Sequence, residues 1–409
     1  MIPRLPRVFR HRFYRLAWAG AFISNIGTWM ETIAVGIYVA ETTGKAGWTG
    51  TIAALAFLPS VVLGPLGGVL ADRFDRRRYL LAMTLMQAVL AALLAVLAFT
   101  HRLSVPVVGI VMFLTGCASS LAGPAFSALL VDFVPPEDLH AAVNLNSGQF
   151  NLARVIGPSI AAPVIALGGM GWAFTVNTLS FFAVLFALAL VALPPPESHP
   201  RRENLVEGMQ KGFLAAHADV GIRNALVVTL LASFLVSPFI GLVPAFVIKV
   251  LKLGAASTSL LVSCQGVGAI VMAIAVGPLS ERFGRRRVLA SASFLCGPVA
   301  AVYWLSPVYG FAMGALALLG AVHLGTVTGC SSVCQARAPR QLRARVVSIF
   351  SMTVGLGYAG GLVALGWFGD LFGMRPVGVV SALVFLALLT LWRGRRENVF
   401  GAMDALLQT

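Results

Sequence analysis

Three titratable side chains lie within long apolar stretches of the chain: Glu31, Arg154 and His323. A charge near the centre of a membrane-crossing helix costs at least ~2.5–3.5 kcal/mol, so a residue kept there needs a partner, a water-filled cavity or a function. Carboxylates and imidazoles bind and release protons, and histidine does so between about pH 5 and pH 8. Proton binding is therefore the chemistry that Glu31 and His323 could perform, whereas Arg154 keeps its positive charge.

The composition excludes an ordinary soluble fold. Of the 409 residues, 58% are hydrophobic and only 11% are charged, with a mean hydropathy of +0.88, so the chain needs hydrocarbon around it. The formal net charge of +15 does not indicate a nucleic-acid partner, because the arginines form short clusters between apolar stretches. Anionic lipid headgroups are the expected partners of these clusters.

Twelve apolar stretches of about 20 residues predict twelve membrane-spanning helices. A polar segment that opens with three prolines separates two groups of six, and its apolar residues fall at the spacing of an amphipathic surface helix. We expect a six-helix bundle in 1–193, a cytosolic linker in 194–223, and a second six-helix bundle with a short tail in 224–409. The predicted spans are 16–40, 46–71, 79–100, 104–131, 141–166, 171–193, 224–248, 253–280, 288–305, 308–336, 346–369 and 376–392.

The basic residues divide unequally between the two sides of the membrane. Twelve spans place both chain ends and every second loop on one side, which then carries 24 of the 30 Lys and Arg residues. Because cytoplasmic loops are rich in Lys and Arg, we expect this side and both termini in the cytosol. The basic residues of the other side are Lys45, Arg102, Lys249, Lys252 and Arg375.

One charged segment occurs twice. GVLADRFDRRR at 68–78 returns 209 residues later as GPLSERFGRRR at 277–287, and each copy lies between two apolar stretches. The repetition indicates that one half of the chain is a duplicate of the other. A duplicated bundle of membrane helices is typical of secondary transporters.

Twelve helices in two halves, with G-x-x-x-D-R-x-x-R-R after the second and a weaker copy after the eighth, resemble the major facilitator superfamily over essentially the whole chain. The resemblance implies an all-α membrane protein of two pseudo-symmetric six-helix bundles. It also implies a conformational latch, in which Asp72 docks on a helix end of the other half and the arginines hold the outward-facing state. A role of the arginines in topology alone is the alternative. Asp75 stands where the family usually has glycine, so this turn is expected to be less tight. The latch positions are Gly68, Asp72, Arg73, Arg76 and Arg77, echoed by Glu281, Arg282, Arg285 and Arg286.

A second stretch resembles one branch of this superfamily. Residues 134–164 are similar to the helix 4–5 region of drug:proton antiporter-type members related to enterobactin exporters and macrolide-efflux proteins, with an echo at 338–350. Gly157 and Pro158 match the core of the antiporter motif, whereas Ala161 stands where that motif prefers glycine. A small residue there still permits close helix contact.

In the resembled fold the first and fifth helices are neighbours. Arg154 ends a series of polar residues at steps of three, four and three, which places them on one face of the fifth helix. We therefore expect Glu31 and Arg154 to face each other, directly or through water. Glu31 would be the proton-coupling site, and Arg154 would keep it ionised until substrate or rocking disturbs the pair. A permanently satisfied structural pair is the alternative. The polar candidates nearby are Asn25, Asn144, Ser147 and Asn151.

His323 lies near the middle of the tenth predicted helix, which lines the cavity in the resembled fold. It could carry a proton, and a neutral histidine bonded to a nearby hydroxyl is the alternative. The five cysteines lie in apolar segments and are expected to pack as small residues. Because the sequence offers no metal site, phosphate-binding loop or nucleophile with its base, we expect no metal, no other cofactor and no enzymatic activity.

These features predict a proton-coupled exporter that works by alternating access as a monomer in the cytoplasmic membrane of a prokaryote. Charge is scarce in the helices that line the cavity of the resembled fold, which favours amphipathic drugs, macrolides or siderophores over sugars or phosphates. The expected partners are a small-molecule substrate, protons and the lipid bilayer. The alternatives are an uptake or lipid transporter of the same fold, and a non-transporting membrane receptor or assembly factor.

Overall fold

A computed structural model describes residues 7–190, 205–393 and 399–404, without some of the side chains on helices in these ranges. Every regular element in these ranges is helical. In hydrocarbon the backbone must satisfy its own N–H and C=O groups, and a helix does so within one segment. The α-helices are α1 (Arg12–Thr43), α2 (Ala46–Arg73), α3 (Arg76–Phe99), α4 (Val105–Asp132), α5 (Leu139–Gly168), α6 (Met170–Leu190), α7 (Leu205–Ala218), α8 (Val220–Leu231), α9 (Phe239–Lys249), α10 (Ala255–Phe283), α11 (Arg285–Trp304), α12 (Tyr309–Arg337), α13 (Arg343–Phe372), α14 (Met374–Arg393) and α15 (Val399–Asp404).

Eleven helical segments of the described chain are long and apolar enough to cross a membrane, and α8 and α9 together form one of them. A π-helical turn at Ala232–Val236 joins these two helices. α1 is not among the eleven although it has 32 residues, because polar residues such as Asn25 and Glu31 lower its hydropathy. With α1, the described residues hold twelve long helical segments in two sets of six, which confirms the predicted all-α fold.

The two sets of helices correspond in length and in one of their turns. α2 and α10 have 28 and 29 residues, and α5 and α13 have 30 each. Gly169 follows α5 with a φ of 79°, and Gly373 follows α13 with a φ of 92°. Glycine adopts this left-handed backbone without strain, so both helices end in the same way.

The turn after α2 differs from its counterpart after α10. Gly284 separates α10 from α11 with a φ of 87°, whereas Asp75 before α3 has a φ of −57°. The carboxylate of Asp75 accepts a hydrogen bond from the Arg78 amide at 2.8 Å. Aspartate at this position therefore replaces a left-handed glycine by a side-chain cap of the following helix.

Contacts divide the chain into two compact units. The first consists of Met1–Thr42, Leu55–Ser198 and Gly254–Ser263, and the second of Thr43–Ala54, His199–Leu253 and Cys264–Thr409. The first turns of α2 therefore belong to the second unit, and the first turns of α10 belong to the first. The repeat boundaries expected from the sequence stay a prediction.

Glycines bring helices of the first unit into backbone contact. A Cβ on Gly116 of α4 would lie 2.3 Å from the carbonyl oxygen of Ala56 in α2, and one on Gly20 of α1 would lie 3.0 Å from that of Ala183 in α6. Small residues at such crossings are the usual packing device of membrane helices. Gly20 holds α1 against α6, so that polar groups on the facing sides of these two helices meet.

The second unit uses the same device between α10 and α12. A Cβ on Gly268 would lie 1.7 Å from the carbonyl oxygen of Ala317, and one on Gly320 would lie 2.2 Å from that of Gln265. Each helix therefore contributes one glycine to a reciprocal contact. α12, which carries His323, is fixed against its neighbour by these two positions.

The linker contains α7. A Cβ on Gly212 would lie 2.8 Å from the Cβ of Arg345, so α7 packs against the first turns of α13. Phe213 and Leu214 point away from this contact and are exposed. Placement of α7 on a membrane surface stays a prediction.

Candidate functional site

Glu31 is buried on α1, with 3% of its surface exposed. Its carboxylate accepts a hydrogen bond from the side-chain amide of Asn177 on α6, with 2.7 Å between Nδ2 and Oε2. The hydroxyl of Ser180 donates to the Oδ1 of Asn177 at 3.2 Å and to its carbonyl oxygen at 2.7 Å. Glu31, Asn177 and Ser180 form a buried polar chain that we call the Glu31 cluster.

Gly27 provides the space for this cluster. It lies one turn before Glu31, so that both residues face α6. A Cβ on Gly27 would lie 2.3 Å from the Oγ of Ser180 and 2.6 Å from the Oδ1 of Asn177. A larger residue would displace both groups, and the polar chain therefore depends on glycine at this position.

Arg154 of α5 contacts a different face of α1 from the face that carries the Glu31 carboxylate. Its guanidinium carbon is 5.2 Å from the centroid of the Trp29 ring, a distance typical of a cation–π contact. Trp29 and Glu31 are two residues apart on α1, so their side chains point to nearly opposite sides. The carboxylate of Glu31 therefore bonds to Asn177 rather than directly to Arg154, and the expected pairing of Glu31 and Arg154 through water stays a prediction.

Other polar residues connect α1 to α5. Nδ2 of Asn25 donates to Oε1 of Gln149 at 3.2 Å, and Nε2 of Gln149 donates to Oδ1 of Asn146 at 3.1 Å. Sequence reasoning placed Asn25 near α5 but missed Gln149, which is 3% exposed. The available sequence signal was its spacing of four from Ala153, a small residue of the kind that lies at close helix contacts in membranes.

Gly157 continues this contact towards the other end of α5. Its Cβ would lie 2.7 Å from the carbonyl oxygen of Ile26 and 2.7 Å from the Cβ of Trp29. Ala161, one turn further, is also fully buried. Pro158 is buried within α5, which runs on to Gly168. Gly157 therefore permits close packing of α5 on α1, and an antiporter role of this motif stays a prediction.

The polar face that includes Arg154 is the more accessible side of α5. Asn144 and Ser147 are exposed, and Asn151 is half-buried and donates to the carbonyl oxygen of Ser147 at 2.9 Å. Polar side chains inside the bilayer are usual where a helix lines a water-filled cavity. A cavity role for Asn144 and Asn151 stays a prediction.

His323 on α12 bonds to a hydroxyl. Its Nε2 lies 2.6 Å from the Oγ of Ser237, and its ring meets the ring of Phe239 edge to face, with centroids 5.6 Å apart. Ser237 also donates to the carbonyl oxygen of Ala232 at 3.2 Å, across the π-helical turn. This is the geometry of the structural alternative for His323, and a role in proton transfer stays a prediction.

The first copy of the repeated motif is described only in part. Gly68, Asp72 and Arg73 lie on the last turns of α2, but their side chains are outside the described residues. Arg77 donates from Nη2 to the carbonyl oxygen of Ala189, next to the last residue of α6. A cation at a helix C-terminus is favourable, so Arg77 ties the start of α3 to the end of α6.

The second copy of the motif lies in contact with solvent. The guanidinium of Arg282 lies over the ring of Phe283, 5.2 Å from its centroid. A latch function of either copy stays a prediction. The exposed charged residues of the second copy are Glu281, Arg282, Arg285, Arg286 and Arg287.

An ion pair that sequence reasoning missed joins α8 to α12. Arg337 donates from Nε and Nη2 to the two carboxylate oxygens of Asp219, at 2.7 and 3.0 Å. Asp219 also caps α8 by accepting from the Ile222 amide at 2.8 Å. Burial alone would raise the pKa of Asp219, but the hydrogen bonds from Arg337 and from the amides of Ile222 and Gly221 lower it below its ordinary value.

We expect Asp219→Ala to lower the free energy of unfolding by about 2–3 kcal/mol, because it removes a helix cap and leaves a mostly buried guanidinium unpaired. The lowered pKa adds a pH dependence with a definite sign. The stabilisation is complete above the unfolded-state pKa of about 3.9 and is lost as the pH falls through the lower folded-state value.

Thermal unfolding in detergent checks both expectations. The difference between wild type and Asp219→Asn, which keeps an oxygen for the cap, should be constant at neutral pH and shrink below about pH 4. A Glu281→Gln variant is the matched control, since Glu281 is exposed. Equal midpoints for wild type and Asp219→Ala at pH 7 would rule out the structural role.

No three His, Cys, Asp or Glu side chains in the described ranges come together as a metal site.

The family model for transmembrane secretion effectors, a branch of the major facilitator superfamily, matches residues 6–402. The chain is 24% identical to macrolide efflux protein A of Streptococcus pyogenes over 383 residues, which cover 92% of this chain and 94% of that protein. It is 27% identical to the enterobactin exporter EntS of Shigella boydii serotype 18 over 389 residues, with coverages of 93% and 90%.

Solved structures show the same fold. A bacterial homologue of the human lysosomal transporter Spinster superposes with a TM-score of 0.77 at 15% identity, covering 97% of this chain and 98% of that one. A D-xylose–proton symporter superposes with a TM-score of 0.72 at 14% identity, with coverages of 92% and 97%. The family model spans nearly the whole chain, and the helices follow the same architecture. The chain belongs to the transmembrane secretion effector family and is a multi-pass membrane transporter of the major facilitator superfamily.

Proposed function

We propose that this transporter exports amphipathic small molecules of the macrolide or siderophore class in exchange for protons. Two relatives of nearly full length are named for efflux of a macrolide and export of enterobactin. Both names specify outward transport, of a macrolide in the first and of enterobactin in the second. The similarity of 24% and 27% supports this direction and compound class.

The Glu31 cluster is the observation that supports proton coupling. A carboxylate with 3% exposure whose hydrogen bond comes from the neutral amide of Asn177 is costly to keep charged. Proton binding removes this cost, and water or substrate that reaches the cluster reduces it. Glu31 is therefore the group that would alternate between the two protonation states during transport.

Asn177 and Ser180 would keep the carboxylate in place in both states. An amide has donors and an acceptor, so Asn177 can donate to the ionised carboxylate and, after rotation, accept from the protonated one. Ser180 orients Asn177 through its hydrogen bond to Oδ1. The half-buried His323 with its partner Ser237 is the second candidate for a proton carrier.

The charge distribution supports the proposed placement in the membrane. With 24 of 30 basic residues on one side, this side and both termini would lie in the cytosol of a prokaryote. Proton influx supplies about 2.3 kcal/mol per charge per 100 mV, which is enough to drive export. The motif with Asp72, Arg73, Arg76 and Arg77 would act as the inner latch of the outward-facing state.

Drug susceptibility of intact cells tests this proposal. Expression in an efflux-deficient bacterium should raise the minimal inhibitory concentration of macrolides, and uncoupling of the proton gradient should abolish the protection. A Glu31→Gln variant at the same expression level should not protect. If no macrolide and no siderophore-like compound shows reduced accumulation in cells with the wild-type chain, the assigned substrate class is wrong.

A further inference from the structure

Asp370 lies in the last turn of α13, two residues before Phe372. The C-terminus of a helix carries partial negative charge, so a carboxylate is unfavourable there. The side chain of Asp370 is also 13% exposed, which limits its hydration. A carboxylate in this position needs donors from elsewhere in the fold.

Those donors come from α2 and α9. Oδ1 of Asp370 accepts from the amide of Ala46 at 2.9 Å, and Oδ2 accepts from the amide of Gly47 at 2.8 Å. Ala46 is the first residue of α2, and amides of a first turn lack partners in their own helix. The ammonium group of Lys249, the last residue of α9, donates to Oδ1. The carboxylate of Asp370 thus caps the N-terminus of α2 and also forms an ion pair with Lys249.

Close backbone packing surrounds this carboxylate. A Cβ on Gly50 would lie 2.2 Å from the carbonyl oxygen of Leu362, and one on Gly366 would lie 2.7 Å from that of Ala46. Nε1 of Trp367 donates to Oγ1 of Thr51 at 3.2 Å. The first turns of α2 and the last turns of α13 therefore pack backbone against backbone.

We propose that this contact is a gate that holds the outer end of the transporter closed. We call it the outer clasp, formed by the α2 residues 46–51 with Lys249, Trp367 and Asp370. α2 belongs to the first set of six helices, whereas α9 and α13 belong to the second. Alternating access moves one set against the other, so the clasp must break each time the outer ends separate. It lies at the opposite end of α2 from the repeated motif at 68–78.

The charges of the clasp have distinct expected contributions. Asp370→Ala removes two helix-capping hydrogen bonds and an ion pair, and we expect the ratio of open to closed outer ends to rise about tenfold. Lys249→Gln removes only a partly exposed ion pair, so the rise should be about threefold. The charge exchange that combines Asp370→Lys with Lys249→Asp should not restore closure, because lysine cannot accept from the amides of α2.

Double electron–electron resonance tests the gate without knowledge of the substrate. Spin labels are placed at Arg102→Cys and Val308→Cys, which lie in exposed outer loops of the two helix sets. Cys117 and Cys264 are first replaced by alanine because they are partly exposed and would react with the label. The three other cysteines are buried and stay. Distances are measured at one pH in lipid nanodiscs.

The controls match the tested residues in charge and side. Glu41→Gln and Lys252→Gln alter an exposed acid and an exposed base at the outer end, and both should keep the wild-type distance distribution. A longer distance population that grows in the order Lys249→Gln, then Asp370→Ala, supports the clasp. A wild-type distribution in Asp370→Ala, or rescue by the charge exchange, would overturn it. If Asp370→Ala does not fold, a wild-type distribution in Lys249→Gln would overturn the clasp instead.

Discussion

Glu31→Gln should abolish proton-driven substrate accumulation. Transport of one proton through 100 mV supplies about 2.3 kcal/mol, which corresponds to a roughly fiftyfold substrate gradient. Glutamine cannot take up this proton, so the substrate gradient should fall from roughly fiftyfold to none. Binding of the substrate should survive, because glutamine at position 31 still accepts the hydrogen bond that Asn177 donates to Glu31. Exchange of labelled for unlabelled substrate should therefore persist.

Reconstituted protein separates these two activities. Accumulation is measured under an imposed pH gradient, and exchange is measured with equal substrate and equal pH on both sides. Glu41→Gln is the control on the same helix, since Glu41 is exposed at the end of α1, and it should behave as wild type. Retention of proton-driven accumulation in Glu31→Gln would move the coupling role to another group, with His323 as the next to be tested.

The second large effect concerns packing between α10 and α12. Gly320→Leu should lower the free energy of unfolding by at least ~3 kcal/mol, because overpacking is most costly where the neighbour cannot move. The neighbour here is a backbone oxygen, that of Gln265, only 2.2 Å from where a Cβ would stand. Because α12 also carries His323, the variant should lose transport together with stability.

Gly314→Leu is the matched control for Gly320→Leu. Both glycines lie on α12, but a Cβ on Gly314 would meet nothing within 4 Å. Thermal unfolding in detergent should give a wild-type midpoint or a higher one for Gly314→Leu, since leucine favours the helix. Similar midpoints for the two variants would show that the α10–α12 contact is looser than the structure indicates.

The fold could be predicted from the sequence because membrane helices leave a strong local signal. Continuous apolar stretches and the two motif copies, at 68–78 and 277–287, were enough to predict two sets of six helices. The first helix shows the limit of hydropathy alone: α1 carries Asn25 and Glu31 because it faces polar partners inside the protein.

The pairing of the functional side chains was harder to predict. The spacing of Asn144, Ser147, Asn151 and Arg154 predicts one polar face of α5, but α1 is also contacted by the neighbouring face with Gln149 and Gly157. Both faces contain polar residues, so periodicity could not decide between them. The guanidinium of Arg154 contacts the ring of Trp29, which lies on nearly the opposite side of α1 from Glu31.

The ion pairs left no sequence signal of their own. Asp219 and Arg337 are 118 residues apart in the chain, and Lys249 and Asp370 are 121 apart. Only the three-dimensional fold brings them together. The position of Asp219 directly before α8 was a recognisable N-cap signal, and it would have predicted the cap without the arginine.

Uptake into inside-out membrane vesicles tests the central claim most directly. The lumen of these vesicles corresponds to the outside of the cell, so an exporter that exchanges substrate for protons should concentrate a labelled macrolide inside when the lumen is acidic. Alkalinising the lumen should stop this uptake in wild type, and Glu31→Gln should show none under either gradient. Uptake driven by an alkaline lumen, and not by an acidic one, would contradict proton-coupled export.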